Sequence, residues 1–386
     1  MKKYTMVIDG HNFMFKTLCV LPMNKGGLWL DKKKEREMFK SKLVQNLSAS
    51  VRDFSDVIDN VVFVTDSTSW RKSLDDGVDY KGNRHTEDKI NWDGFRECLD
   101  SFISELGKMG VIVSKAALSE ADDLIFYWAN RLTFEGTPVI INSSDKDMLQ
   151  LIRFNEQTSC ESLLYSTTTK KLYAPEGFSK MLIKKTQTLE DMFNTNGSMS
   201  IFERYDTLGS LVKKKKFEVE EVNADEALFT KLLIGDKSDN IPSVYTVTKN
   251  GRTFGITELK AGLIIKMFAE KTGVPTNTEY LYIDSALETL CDCIREVMKT
   301  DADNDTLIRN IKRNRTLVVL SNKSIPEEVI GNMMENVDSL PYKKNVVNFQ
   351  YILKSGTQPV VKMTIGAVEK SDDTDFSFIK DRQKLF

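Results

Sequence analysis

Three short apolar runs in this chain end in aspartate: Tyr4–Ile8 before Asp9, Val61–Thr65 before Asp66, and Pro138–Asn142 shortly before Asp145 and Asp147. Helical periodicity fills the intervals, in Met38, Leu43, Leu47 and Val51 and again in Phe95, Leu99, Phe102, Ile103 and Leu106. Short apolar runs alternating with helices imply βαβ units around a parallel sheet. Ligands of such a sheet bind outside the carboxyl ends of its strands, and each of those ends carries an acid here. A fourth run, Val111–Val113, leads into Ser119-Glu120-Ala121-Asp122-Asp123. Ser119 with Asp122 three residues on reads as a capping box, which places these acids in the first turn of a helix.

Farther along, Ser162–Tyr173 reads as a hairpin around Thr167–Lys170, and residues 181–222 as a polar, irregular insertion with the basic run Lys213–Lys216. Glu226–Ile234 is expected to be helical and to end at Gly235-Asp236-Lys237-Ser238-Asp239-Asn240-Ile241-Pro242. Gly255–Phe268 restarts a helix, and Arg315–Leu320 reads as a last strand.

Composition narrows the chemistry. At 386 residues, 41% hydrophobic and 28% charged, the chain is an ordinary globular sequence of two to three units. Asp9, His11 and Asn12 interrupt the apolar run too early for a signal peptide, and no stretch approaches the ~18 apolar residues of a membrane span. A cytosolic location is expected. Five scattered cysteines without a C-x-x-C pair argue against a disulfide framework or a zinc ribbon. Two histidines leave demanding chemistry to carboxylates, lysines, arginines and tyrosines. The net charge of −2 lacks the basic excess usual in nucleic-acid binders, unless acids gathered around cations offset bases elsewhere.

A parallel sheet would bring together Asp9, Asp66, Glu120, Asp122, Asp123, Asp145, Asp147 and Asp236, with Asp239 nearby. Any one alone is an ordinary turn or cap residue. As a set they are not, because two carboxylates 4 Å apart repel by about 4 kcal/mol at an effective dielectric of 20. Cations must hold such a group together. Oxygen-only ligation favours Mg²⁺ or Mn²⁺ over zinc or copper, and two such ions ~4 Å apart suit an in-line phosphoryl displacement.

The motifs Val7–Gly10 (V-I-D-G), Phe63–Ser67 (F-V-T-D-S), Glu120–Asp123 (E-A-D-D), Ser143–Met148 (S-S-D-K-D-M) and Gly235–Pro242 (G-D-K-S-D-N-I-P) follow one another in the order of the 5′-nuclease, or flap endonuclease, superfamily. The chain resembles that superfamily over about residues 1–330. Trp70–Lys72, Tyr80–Arg84 and Asn91–Gly94 make it most like the tailed-phage RNase H type.

The resemblance implies a PIN-like parallel sheet with helices on both faces, plus a helical helix–hairpin–helix DNA-binding region. The units would be a nuclease domain at 1–225 with an arch at 67–93 and the insertion at 181–222, a duplex-binding region at 226–300, a part packing on the nuclease at 301–370, and a mobile tail at 371–386. One metal would be held by Asp9, Asp66, Glu120 or Asp122, and Asp145, and a second by Asp123, Asp147, Asp236 and Asp239. Two Mg²⁺ are implied, with Mn²⁺ as a substitute. Arg71, Lys81 and Arg84 are the candidates for the basic residue at the scissile phosphate, although Asp75, Asp76, Asp79, Glu87 and Asp88 leave the arch without a net basic charge. Tyr80, Lys81, Arg84 and Lys237 are the candidates for nucleic-acid contact, Tyr80 by stacking on a base, worth ~1–3 kcal/mol. The family's G-I-G-x-x-T-A turn, which grips duplex phosphates with K⁺, is represented by Gly255-Ile256-Thr257-Glu258-Leu259-Lys260-Ala261; the second glycine is absent, which leaves the K⁺ site open.

The implied activity is a 5′→3′ exonuclease and flap endonuclease acting on RNA primers or flaps of branched or nicked DNA and RNA–DNA hybrids during replication. A PIN-type single-strand ribonuclease and a non-catalytic branched-DNA-binding protein are the alternatives. The Gly235–Pro242 element argues against the first, and the full set of acids against the second. The ending Gln383-Lys384-Leu385-Phe386 resembles segments that dock on sliding clamps, and a single-strand-binding protein is the other expected partner.

Overall fold

The computed structural model describes residues 3–21, 28–74, 77–82, 89–183, 198–342 and 346–356. Arg84 and the tail 371–386, including its Q-x-L-F end, lie outside the described residues.

The expected parallel sheet is present. Its strands are β1 (Tyr4–Asp9), β2 (Ile58–Val64), β3 (Ile112–Ser114), β4 (Val139–Asn142), the two-residue β5 (Phe154–Asn155), β6 (Cys160–Ser166), β7 (Lys171–Pro175) and β8 (Glu218–Val222). They run in the order β3-β2-β1-β4-β6-β7-β8, with β5 paired to β6. From β3 to β6 every pairing is parallel. The hairpin at β6–β7 turns the chain back, as expected around Thr167–Lys170.

Strand alternation divides the apolar side chains between two faces. Met6, Ile8, Val61, Phe63, Ile140, Leu163 and Tyr165 join one core. Helices α1 (Gly10–Cys19), α2 (Lys33–Phe54) and α3 (Trp92–Lys108) lie on it. Val7, Val62, Val64, Val139, Ile141 and Leu164 join the other, under α4 (Ala121–Phe134). Helices on both faces let the central strands be apolar throughout. Gly10 is required where α1 leaves β1, because a Cβ there would sit 2.4 Å from the Val64 carbonyl oxygen.

The expected irregular insertion is different in the structure. Beyond the short α5 (Phe178–Ile183), residues 198–215 form α6 (Ser198–Lys215), and Glu218–Val222 form β8, parallel to β7. Tyr205, Leu208, Leu211 and Phe217 belong to the first core, so this segment is part of the domain. Beneath it, Arg204 and Glu161 form a buried ion pair of 2.8 Å, with the Tyr4 hydroxyl donating to the same carboxylate.

A third core lies among α7 (Ala224–Ile234), α8 (Glu258–Thr272), α9 (Asp284–Met298) and α10 (Asn304–Val318). The strand expected at Arg315–Leu320 is instead the last turn of α10 and the residues after it, because Leu307, Ile311 and Leu317 form a helical stripe facing that core. The unit expected to start at 301 is therefore split. Helix α10 belongs with the helical region, while Val329, Met333 and Val337 of α11 (Glu327–Ser339) pack under the sheet. The last described helix, α12 (Phe349–Gly356), covers α2. No helix among the described residues is long and apolar enough to cross a membrane.

Candidate active site

The carboxyl ends of β1, β2 and β4 and the first turn of α4 meet on one edge of the sheet, and the loop after α7 closes over it. Asp9 ends β1 and caps α1, accepting the Asn12 amide at 3.0 Å and the Ser143 hydroxyl at 2.7 Å. Asp66, two residues past β2, accepts the Ala121 amide at 2.6 Å and faces His11 Nδ1 at 2.5 Å. Asp145 caps a 3₁₀ turn and accepts the Asp147 amide at 2.9 Å. Asp236 holds its own loop by accepting the amide and hydroxyl of Ser238, at 2.7 and 2.6 Å. The turn closes at Gly235, whose φ of +77° and contact with the Ile241 carbonyl leave no room for a side chain.

Electrostatics connect these acids into one group. Burial pushes the Asp9 carboxyl up to about 6, with Asp145 and Asp66 adding to the rise. Asp147 rises to about 7 through burial and then the charges of Asp145 and Asp236. Asp122 stands well above the ordinary range, through burial and the charges of Asp145 and Asp9. Asp145 is also raised by burial, with Asp239 and Asp236 as neighbours. Asp66 goes the other way: burial opposes ionisation, but the charge and hydrogen bond of His11, with the Ala121 amide and Lys81, bring it well below the usual value. Glu120 and Asp236 are lowered too, against burial, by Lys81 and Lys231 respectively.

The cations explain how the group is held. The Lys231 ammonium, in the last turn of α7, bridges Asp147 and Asp236. The Lys81 ammonium donates to Glu120. Lys81 adopts φ +59° and donates its amide to the Asp239 carbonyl at 2.9 Å, while Asn240 Nδ2 donates to the Asp79 carbonyl at 2.9 Å. The described part of the arch is thus docked on the Asp236–Asn240 loop.

Three expected roles change. Helix α4 is capped one residue later than the sequence suggests, because Ser119 spends its hydroxyl on the Ala116 carbonyl and Glu120 becomes the cap. Asp123 therefore turns back to its own helix end, accepting the Glu120 amide at 3.2 Å, and is fully buried away from the other acids' opening. Its partner is Arg71, 2% exposed, which donates to both Asp123 oxygens at 2.8 and 2.9 Å, to Glu120 at 3.0 Å and to the Leu317 carbonyl at 3.0 Å. Arg71 is a buried brace, out of reach of a substrate phosphate. Tyr80, expected to stack on a base, is 7% exposed; its hydroxyl donates to Glu120 at 3.0 Å and its ring belongs to the third core. Lys237 is exposed on the loop, as a contact residue must be.

Three side chains escaped the sequence reading: His11, Lys16 and Lys231. His11 directly follows the Asp9-Gly10 turn, a position that signals proximity to the site even with only two histidines in the chain. Burial lowers the Lys16 ammonium to about 8, and it donates to the hydroxyls of Ser144 and Thr167 at 2.6 Å each. It lines a cleft of about 900 Å³ that also exposes Asp145, Asp147, Lys171 and Lys231. Lys231 carries no local signal, because one of its partners lies 84 residues away.

The donor set fits hard divalent cations. It is all carboxylate oxygen, and Asp9, Asp122, Asp145 and Asp147 are raised by burial and then by neighbouring carboxylates, a repulsion that a bound cation relieves. Among the described residues no three of these acids already form a finished cage for one ion; Lys81 and Lys231 stand between them.

A family model described as the 5′-3′ exonuclease N-terminal, resolvase-like domain matches residues 4–192. Among solved structures, the chain is similar to the bacteriophage T5 flap endonuclease in a pseudo-enzyme–product complex with DNA and metal ions, at 16% identity and TM-score 0.46, covering 92% of this chain and 100% of that one. It is similar to T5 5′-exonuclease with bound zinc, at 17% identity and TM-score 0.48, covering 87% and 98%. The catalytic core of Rad2 in complex with DNA substrate matches at 10% identity and TM-score 0.35, over 93% of each chain. No curated protein sequence matches the chain.

Proposed function

We propose that this chain, whose residues 4–192 match the model of the 5′-3′ exonuclease N-terminal, resolvase-like domain, is a divalent-metal-dependent 5′ nuclease that hydrolyses phosphodiester bonds at the 5′ ends, flaps or RNA primers of branched DNA. The observation that carries this reading is the gathering of Asp9, Asp66, Asp145 and Asp147 from the strand ends with Asp122 of α4 and Asp236 of the loop after α7, joined by the hydrogen bonds of Ser143, Ala121 and Lys231.

Asp9, Asp66, Asp122 and Asp145 would hold one cation, and Asp147, Asp236 and Asp239 another, with Glu120 between the first set and Lys81. Mg²⁺ suits these oxygens, with Mn²⁺ as a substitute. Bound there, the cations supply the positive charge that a phosphoryl displacement needs and the acidity that makes water a nucleophile at neutral pH. The chain's own residues do the positioning. The hydrogen bonds to Asn12, Ser143 and Ala121 fix the orientation of Asp9 and Asp66. Tyr80 and Arg71 fix Glu120, which presents Lys81 at the rim. From there the Lys81 ammonium can leave Glu120 for a phosphate oxygen, the role expected of the basic residue at the scissile bond. Lys231 holds Asp147 and Asp236 together until cations take its place.

The test is cleavage of a 5′-flap duplex and of a single-stranded RNA, each with and without Mg²⁺. Metal-dependent cutting near the flap base supports the reading. Cutting of the RNA alone would favour the single-strand ribonuclease, and binding without cutting a non-catalytic DNA-binding protein. A role in replication, with a sliding clamp and a single-strand-binding protein as partners, belongs to the same proposal.

A further inference from the structure

Between the Asp236–Asn240 loop and α8 the chain makes a detour. Strands β9 (Thr246–Lys249) and β10 (Arg252–Gly255) form an antiparallel ribbon that turns at Asn250-Gly251 and, among the described residues, pairs only with itself. Its two ends are pinned at one point. The Ser243 hydroxyl donates to the Leu233 carbonyl at 2.8 Å and accepts the Ile256 amide at 3.0 Å. Gly255 lies so close that a Cβ would come within 2.7 Å of the Ser243 side chain. Asn310 Nδ2 holds the Val244 carbonyl at 2.9 Å. The ribbon therefore projects about 13 Å, four residues at ~3.3 Å each, from a fixed base. Glu258, just beyond it, lines the cleft that exposes Asp145, Asp147 and Lys231.

Register assigns the faces. Val247 pairs with Phe254 and Lys249 with Arg252, so these four side chains share one face. Two cations directly opposite one another destabilise a strand pair, and among the described residues neither Lys249 nor Arg252 has an ion-pair partner. Phe254 beside them is 51% exposed. Folding gives no reason for this arrangement, since a ribbon built for packing would bury the phenylalanine and separate the charges. A polyanion gives one. A two-stranded ribbon also has the width that the major groove of a B-form duplex accepts.

We propose that the Thr246–Gly255 ribbon is a duplex-contact element, with Lys249 and Arg252 on backbone phosphates of the DNA held beside the cleft and Phe254 against the sugars between them. This rests on the 5′-nuclease reading. It differs from the backbone grip implied by the glycine-rich turn, because side chains of an inserted ribbon make the contact.

The experiment uses the full chain with Lys249→Ser/Arg252→Ser. Binding to a 5′-flap duplex is followed by fluorescence anisotropy across a salt series with Ca²⁺, alongside single-stranded oligonucleotide binding, single-turnover cleavage with Mg²⁺ and Tm. Losing two phosphate contacts should reduce the slope of log K against log salt by about 2, at ~0.9 per contact. Single-strand affinity, cleavage at saturating enzyme, and Tm should not fall. An unchanged duplex slope, in a protein whose parent binds and cuts the same flap, overturns the ribbon proposal and leaves the nuclease reading intact. A parent that neither binds nor cuts the flap overturns both.

Discussion

Arg71→Ala should act on stability before it acts on catalysis. The guanidinium is 2% exposed and Asp123 is fully buried, so removing it leaves a carboxylate with no route to water. Breaking one side of a buried pair costs about 3–5 kcal/mol, and the lost bond from Nε to the Leu317 carbonyl adds about 1 kcal/mol. Domains are typically stable by about 5–15 kcal/mol. At about 2–4 °C per kcal/mol, the expected fall in Tm is on the order of 10–20 °C, measured by far-UV circular dichroism in EDTA. The double variant Arg71→Met/Asp123→Leu provides the control, because replacing both members of a buried pair with apolar groups is often close to neutral. It should recover part of the loss, though not all, since the Trp70 indole and the Glu120 amide both donate to Asp123. It should also retain metal-dependent cleavage below its transition, because Glu120 keeps Lys81 and Tyr80. If Arg71→Ala instead leaves Tm within a degree or two and abolishes cleavage, the guanidinium reaches the substrate and the bracing argument is wrong.

The remaining expectations concern the acids and the arch. Asp147→Asn should abolish cleavage while flap binding in Ca²⁺ stays near normal; retained Mg²⁺-dependent turnover would remove Asp147 from the site. Asp9 and Asp147 have pKa values raised to about 6 and about 7, so the folded state holds their protons more tightly than the unfolded chain does. The stability they contribute is full below about pH 4 and lost as the pH rises through 6 to 7. Apo Tm should therefore decline across that window, and saturating Mg²⁺ should remove the decline by binding the ionised acids; parallel curves with and without metal would refute this. Lys81→Ala should slow flap cleavage far more than it weakens flap affinity, and equal losses would make Lys81 a general DNA contact. Tyr80→Phe should lower Tm by the worth of one buried hydrogen bond, about 1 kcal/mol, without weakening single-strand binding; the opposite result would restore Tyr80 as a stacking residue.

The acids were legible in the sequence because a parallel sheet delivers its strand ends to one edge, and Asp9, Asp66 and Asp145 sit at those ends whatever else the chain does. What each acid faces was not legible. Asp123 depended on a one-residue difference in the cap of α4, decided by whether the Ser119 hydroxyl turned to the helix or to the Ala116 carbonyl. Arg71 looked like an exposed arch residue because its partners, Asp123 and Leu317, are distant in sequence and meet only in the packed core. The segment around α6 hid a helical stripe of Tyr205, Leu208 and Leu211 behind four lysines, and local polarity outweighed periodicity. At Arg315–Leu320 a β-branched run suggested a strand, but Asp303 caps a helix that reaches Val318, and tertiary packing overrode propensity. These misses share a cause. Asp9, Asp66 and Asp145 can be inferred from spacing because each is placed by its own strand, whereas the side chains that balance the cluster are drawn from other elements: His11 from α1, Lys81 from the arch, Lys231 from α7. Balancing a carboxylate group is a property of the assembled fold, so it also marks which bases are available to a substrate. Arg71 is committed to Asp123 inside the core. Lys81, at the rim and paired with Glu120, is placed to exchange that carboxylate for a phosphate.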